Sequence, residues 1–237
     1  MRYSIAFAAA ALASSVSAHG VITQVQGANG VNMPGLSVID GTPRDSGNPL
    51  SGSEADTSII RAKEMGGKAS ALGRTQGGGP VDAAAAISTF MGTGAAGGAA
   101  AAANTKRGLL DALTGGAGGA GGAAGGAAAS AAGTKTPKGT SETGVAAAAG
   151  QGASQGLPTT ADDGTITMTF HQVNQDGAGP LKAQIDATSG GTDPAAFQDA
   201  TVTQDVPGIG IGGLSAAAVM DFPVKVCSHS SHHHNTS

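Results

Sequence analysis

Between positions 95 and 133, 29 of 39 residues are alanine or glycine. Alanine alone favours helix, but glycine pairs recur every few residues, and each glycine costs about 1 kcal/mol in a helix interior. Alanine also buries little apolar area, so such a run gains too little from burial to offset its chain entropy. The sequence therefore predicts a low-complexity disordered insert over residues 93–157. Glycine lacks the three-residue period of collagen, and the strict repeat of a stacked silk-like sheet is missing as well. Inside the insert, Leu109-Leu110-Asp111-Ala112-Leu113 reads as a transient helical turn, and Lys106-Arg107 before it as a dibasic pair that is more often merely solvated than a site of processing.

What remains outside the insert must supply the core. Residues 19–92 and 158–226 have mixed composition, and together they are long enough for one domain. Residues 21–25 carry alternating apolar positions. Residues 165–171 alternate cleanly: Ile166, Met168 and Phe170 take one face, Thr165, Thr167, Thr169 and His171 the other. Asn174-Gln175-Asp176-Gly177 supplies turn chemistry, with Gly177 free to take positive φ. Leu181, Ala183 and Ile185 then alternate against Lys182, Gln184 and Asp186, so the two runs are expected to join as a hairpin. Residues 201–206 and 219–226 are further strands. In the last, Met220, Phe222, Val224 and Val226 face away from Asp221 and Lys225. Many short strands broken by Gly, Pro and Asp predict a mainly β protein. Its expected form is a single β-sandwich, immunoglobulin-like or monooxygenase-like, interrupted by the Ala/Gly-rich insert. Residues 227–237 read as a polar His-rich tail.

Residues 1–18 read as a secretory signal peptide: Arg2 gives the positive start, residues 6–13 a short apolar stretch, and Val16-Ser17-Ala18 the small residues of a cleavage site. Cleavage after Ala18 makes His19 the first residue of a secreted, extracellular or cell-surface protein. No later apolar run approaches membrane length, so no membrane span is expected. The chain has a single cysteine, Cys227, so an intrachain disulfide is impossible. Its net charge of −4 comes without a basic patch, which argues against a nucleic-acid partner.

Two histidines outside the tail carry the sharpest chemical reading. A free N-terminal histidine offers a metal both its α-amino nitrogen and a ring nitrogen, and a second histidine adds a third nitrogen. A nitrogen set of this kind, a histidine brace, suits Cu(II) better than Zn(II), which prefers tetrahedral sites. His19 and His171 are the expected ligands, with Asp221 on a polar strand face approaching the axial position. The bland alternative makes His19 an ordinary mature N-terminus and His171 an exposed strand residue. The tail histidines His229, His232, His233 and His234 bind metal only opportunistically, and Asn235-Thr236-Ser237 matches a glycosylation pattern at a terminus. Gly152-Ala153-Ser154-Gln155-Gly156 fits the nucleophile-elbow pattern but lacks the strand before it. Gly208-Ile209-Gly210-Ile211-Gly212-Gly213 fits a dinucleotide fingerprint without a βαβ context. Glutamate occurs only at Glu54, Glu64 and Glu142, and Asp162-Asp163 reads as a solvated loop, so no acid/base pair for glycoside hydrolysis stands out.

Longer motifs add a resemblance. His19-Gly20-Val21-Ile22, Leu72-Gly73-Arg74-Thr75-Gln76-Gly77, Gly79-Pro80-Val81-Asp82 and Phe90-Met91-Gly92 carry it in the first part. His171-Gln172-Val173-Asn174-Gln175-Asp176-Gly177-Ala178-Gly179-Pro180 and Ser189-Gly190-Gly191-Thr192-Asp193-Pro194 carry it in the second. Together they resemble the secreted appressorium-specific, or appressorial-penetration, proteins of pathogenic fungi, also met in powdery-mildew haustoria. The resemblance implies a role in appressorium formation, host penetration and virulence, with cell-wall polysaccharide or the host surface as partner. It also implies a further cysteine-containing segment after Val226, where this chain runs into its polar tail. The N-terminal histidine is similar to that of copper-dependent lytic polysaccharide monooxygenases, which makes an oxidative enzyme the alternative function.

Overall fold

The computed structural model describes residues 19–94, 133–177, 179–207 and 218–227. Their centre is one antiparallel sheet. In chain order its strands are β1 (Gly20–Gln26), β2 (Asn32–Pro34), β5 (Thr134–Lys135), β6 (Thr165–Gln172), β7 (Ala183–Asp186), β8 (Phe197–Gln204) and β9 (Met220–Cys227). The spatial order is β2-β1-β6-β9-β8-β7. The far edge of β9 is shared: β8 pairs with its end at Lys225 and Cys227, and β5 with its start at Met220 and Asp221. A two-stranded ribbon, β3 (Arg74–Thr75) and β4 (Gly79–Pro80), stands apart. The helices are α1 (Ala83–Phe90), α2 (Gly144–Ala148) and α3 (Gly152–Gln155).

β6 and β9 show why the sheet forms. Strict alternation places Phe170, Phe222, Val224 and Val226 in one buried cluster, with Ile22, Ile166 and Met168 packed against it. The register Phe170↔Phe222 and Met168↔Val224 sets these side chains opposite one another, and cross-strand apolar pairs are the unit of sheet stability. A second cluster, Val31, Met33, Phe90 and Ala148, joins β2 to α1 and α2. Asp82 caps α1, its carboxylate accepting from the Ala85 amide at 3.0 Å.

Several expectations change. The described residues build one main sheet, and the second facing sheet of a sandwich is not among them. The physical reason lies in residues 35–73, where Gly, Pro, Ser and Asp close the backbone into turns and 3-10 segments instead of strands. β6 does not form a hairpin with β7. β1 and β9 occupy its two edges, and β7 pairs with β8. The expected insert is ordered at its end: residues 133–157 hold β5, α2 and α3, and Ala148 enters the second cluster. Threonine, proline and Glu142 end the Ala/Gly monotony there, and Glu142 is held by the Arg44 guanidinium. Ser154 sits on the exposed four-residue α3, its hydroxyl donating to the Gln151 carbonyl at 3.2 Å, so no nucleophile elbow forms. Cys227 closes β9 instead of opening a tail. The signal segment, residues 95–132, the 208–213 glycine motif and the tail histidines lie outside the described residues. Among the described residues, no helix is long and apolar enough to cross a membrane.

Candidate functional site

His171 and Asp221 are direct cross-strand partners in the β6–β9 ladder. That register alone brings their side chains together on the face opposite the phenylalanine cluster. His171 Nδ1 lies 2.7 Å from Asp221 Oδ1, with the ring 1% exposed and the carboxylate 40% exposed. A carboxylate accepts only, so Nδ1 carries the proton and donates. In the tautomer with its proton on Nδ1, the lone pair is at Nε2. That Nε2 is buried and has no hydrogen-bond partner among the described residues. Buried polar atoms are paired in the great majority of cases, so an orphaned imidazole nitrogen points to something it is kept for. Asp221 thus meets the ring of His171 through its Oδ1.

His19 comes to the same face by a different route. Its carbonyl accepts from the Val173 amide at 2.9 Å, extending the β1–β6 register in which Val21 pairs with His171. The two histidines therefore lie on one face of adjacent strands, two positions apart in register. Loop side chains hold the His19 ring. The Asn174 amide donates to Nδ1 at 3.1 Å and to Glu54 Oε1 at 3.0 Å. Glu54 Oε2 lies 3.4 Å from Nε2, and Asp176 Oδ2 lies 3.6 Å from Nδ1. With Nδ1 accepting, the Nε2 proton faces Glu54. Gly177 is needed here for close approach rather than for positive φ, because a Cβ would run into the His19 carbonyl.

Glu54 owes its place to a buried ion network two residues on. The Arg44 guanidinium grips Asp56 with two bonds of 2.9 and 2.5 Å, and Glu142 with two more of 3.0 and 2.8 Å. Asp56 is fully buried, and its Oδ2 also accepts from the Ile39 amide at 3.1 Å. Burial alone would lower the Arg44 pKa. The hydrogen bonds and charges of Asp56 and Glu142 outweigh it and hold the guanidinium above its ordinary value. The most displaced carboxylate lies elsewhere. Asp186, bonded by the Ser189 hydroxyl and by the amides of Ser189, Thr188 and Gly191, is held well below the usual carboxylate range to close an exposed loop.

Val219, two residues before Asp221, is left-handed at φ 58°. That is a strained state for a β-branched residue, and such outliers cluster at functional sites. Its amide donates to the Val173 carbonyl at 3.3 Å and its carbonyl accepts from the Thr136 amide at 3.1 Å, so three segments meet beside the His171–Asp221 pair.

The residues fit a brace in their donor chemistry. One ring offers Nε2 and the other offers Nδ1, and a freed α-amine would stand on His19. No three or more His, Cys, Asp or Glu side chains among the described residues are grouped to hold a metal, so the α-amine would have to supply the third donor. Glu54 and Asn174 are the site residues the sequence did not single out. Rarity was the available signal for Glu54, one of three glutamates. Asn174 read only as a turn residue.

Residues 17–230 match the family model described as "Egh16-like virulence factor". Two curated relatives from Pyricularia oryzae, both described as "Appressoria-specific virulence factor GAS2", are each 58% identical over 228 residues. The match covers 95% of this chain and 76% of each relative. No solved structure matches. The chain belongs to the Egh16-like virulence factor family.

Proposed function

We propose that this protein is exported and acts at cell-wall polysaccharide or the host surface during appressorium formation or host penetration, and that His19 and His171 hold one copper ion there. The family and the appressorial relatives support the setting. The observation that carries the chemistry is the buried, unpartnered Nε2 of His171, whose Nδ1 is fixed by Asp221. In this reading Asp221 is a positioning residue. It sets the tautomer and ring angle of His171, as second partners of metal-bound histidines commonly do. Asn174 and Glu54 do the same for His19, keeping Nδ1 as the acceptor nitrogen. Copper bound there would supply one-electron redox chemistry toward a polysaccharide, the alternative enzymatic reading.

The test is a Cu(II) titration with EPR on secreted protein whose intact mass shows His19 as the first residue. Wild type is compared with His171→Ala and with a variant lacking the tail histidines. One nitrogen-rich copper per chain that vanishes in His171→Ala and survives loss of the tail supports the site. A signal unchanged in His171→Ala, or one that follows the tail, removes it. Copper-dependent oligosaccharide release then separates an enzyme from copper capture without turnover.

A further inference from the structure

Beside Asp221 the polar face of the sheet opens into a cleft of about 510 Å³. β1, β6 and β9 line it on the sheet side and residues 136–151 on the other. Its size is that of a small-ligand site. Its lining is unusual in kind. Its polar half is built of hydroxyls and amides, among them Thr23, Gln24, Asn32, Thr136, Ser141 and Thr143, and no aromatic ring takes part. The charged groups that reach it are already committed: Arg44 and Glu142 to each other and to Asp56, and Asp221 to His171. The cleft thus offers groups that both donate and accept, and no cation left over for an anionic ligand.

One of these groups has nothing to bond. The Thr136 amide is tied to the Val219 carbonyl at 3.1 Å, which fixes the residue beside β9. The residue is only 7% exposed, and its hydroxyl oxygen has no hydrogen-bond partner among the described residues. A valine would fill that place without stranding a polar atom. A ligand seated in the cleft that parts the groups over this hydroxyl would give it the partner it lacks.

We infer that this cleft binds a neutral, hydroxyl-rich glycan segment, with the Thr136 hydroxyl as one of its anchors. Sugar hydroxyls both donate and accept, matching the Thr, Ser, Gln and Asn groups of the lining. An anionic chain would find no free cation, and an apolar ligand would leave the lining unpaired. The absence of a ring platform makes hydrogen bonding, and not stacking, the source of recognition. The inference takes its setting from the proposed action at polysaccharide, but it needs no copper. Because Asp221 touches both the cleft and His171, a bound chain would pass beside the histidine pair.

The probes are chitotetraose and cellotetraose, which share this chemistry and stand for the fungal and plant walls, with a tetragalacturonate as the anionic control. Binding to the full mature chain is read by amide NMR shifts and calorimetry in the presence of a chelator. A neutral tetramer is expected to move amides of Gln24, Thr169 and residues 136–143, and whichever of the two binds tighter names the wall. Thr136→Val should weaken that binding about fivefold, the worth of one ordinary hydrogen bond, while melting at the wild-type temperature or above. Ser141→Arg, at the exposed rim, should block the cleft without touching the core. The chelator keeps metal out of the histidine pair throughout, so a failed copper site does not carry this inference down with it. No shift with either neutral tetramer, tighter binding of the anionic one, or wild-type affinity in both cleft variants would overturn it. So would affinity lost in His171→Ala and kept in Thr136→Val, which would put the sugar at the histidines instead.

Discussion

The two histidines are held by opposite kinds of structure. His171 is a mid-sheet residue: its partner Asp221, its neighbours on β6 and its burial all follow from one antiparallel register. His19 is held from the side by loops, through Asn174, Glu54 and the Arg44 network behind them. Its side chain is 22% exposed, against 1% for His171. A ladder fixes a side chain through many weak, repeated contacts. A loop fixes it through a few strong ones. The first kind resists single polar substitutions, and the second is sensitive to each of them.

The sharpest way to break this contrast is to remove the ladder. Phe222 is nearly fully buried between β6 and its neighbours, adjacent to Asp221. Phe222→Ala should destabilise the fold by about 4 kcal/mol, seen in denaturant midpoints, and both histidine rings should lose their native NMR signals together. If the His19 ring alone changed, the ladder would not be what fixes His171. Next comes the loop side. Asp56→Ala leaves Arg44 buried with only Glu142, and breaking such a pair from one end should cost about 3 kcal/mol. In the folded fraction the imidazole signals of His19 should move and those of His171 should stay. Equal movement of both would mean the loops and the ladder form one unit. The smallest effect sharpens the picture further. Asn174→Ala removes the two amide bonds that orient His19 and Glu54, for about 1–2 kcal/mol. It should free the His19 ring and lower the melting temperature by only a few degrees. An unchanged ring would hand its orientation to Glu54 alone.

The same contrast explains what could be read from the sequence. The ladder side was legible because period-two alternation is a local signal. Ile166, Met168 and Phe170, with Phe222, Val224 and Val226, fall on the apolar face as their spacing predicts, and His171 and Asp221 on the other. Which strands pair was not legible, since the pairing of β6 with β1 and β9 depends on partners about 150 and 50 positions away. The loop side was illegible for a related reason. Arg44, Asp56 and Glu142 are separated by 12 and 98 positions and share no period. Composition misled as well. The Ala/Gly run hides the point near residue 133 where threonines, Glu142 and Ala148 begin to make specific contacts, so the insert seemed to reach residue 157.

The contact between His19 and Asn174 spans 155 positions of chain. No local turn can assemble a contact of that separation, and pairings of high contact order form slowly. The Ala/Gly run lies inside that span. Loop-closure entropy grows only with the logarithm of length, about 0.6 kcal/mol for each doubling. A run of this kind can therefore lengthen or shorten at small thermodynamic cost, and what it alters is chiefly how long the two halves take to meet.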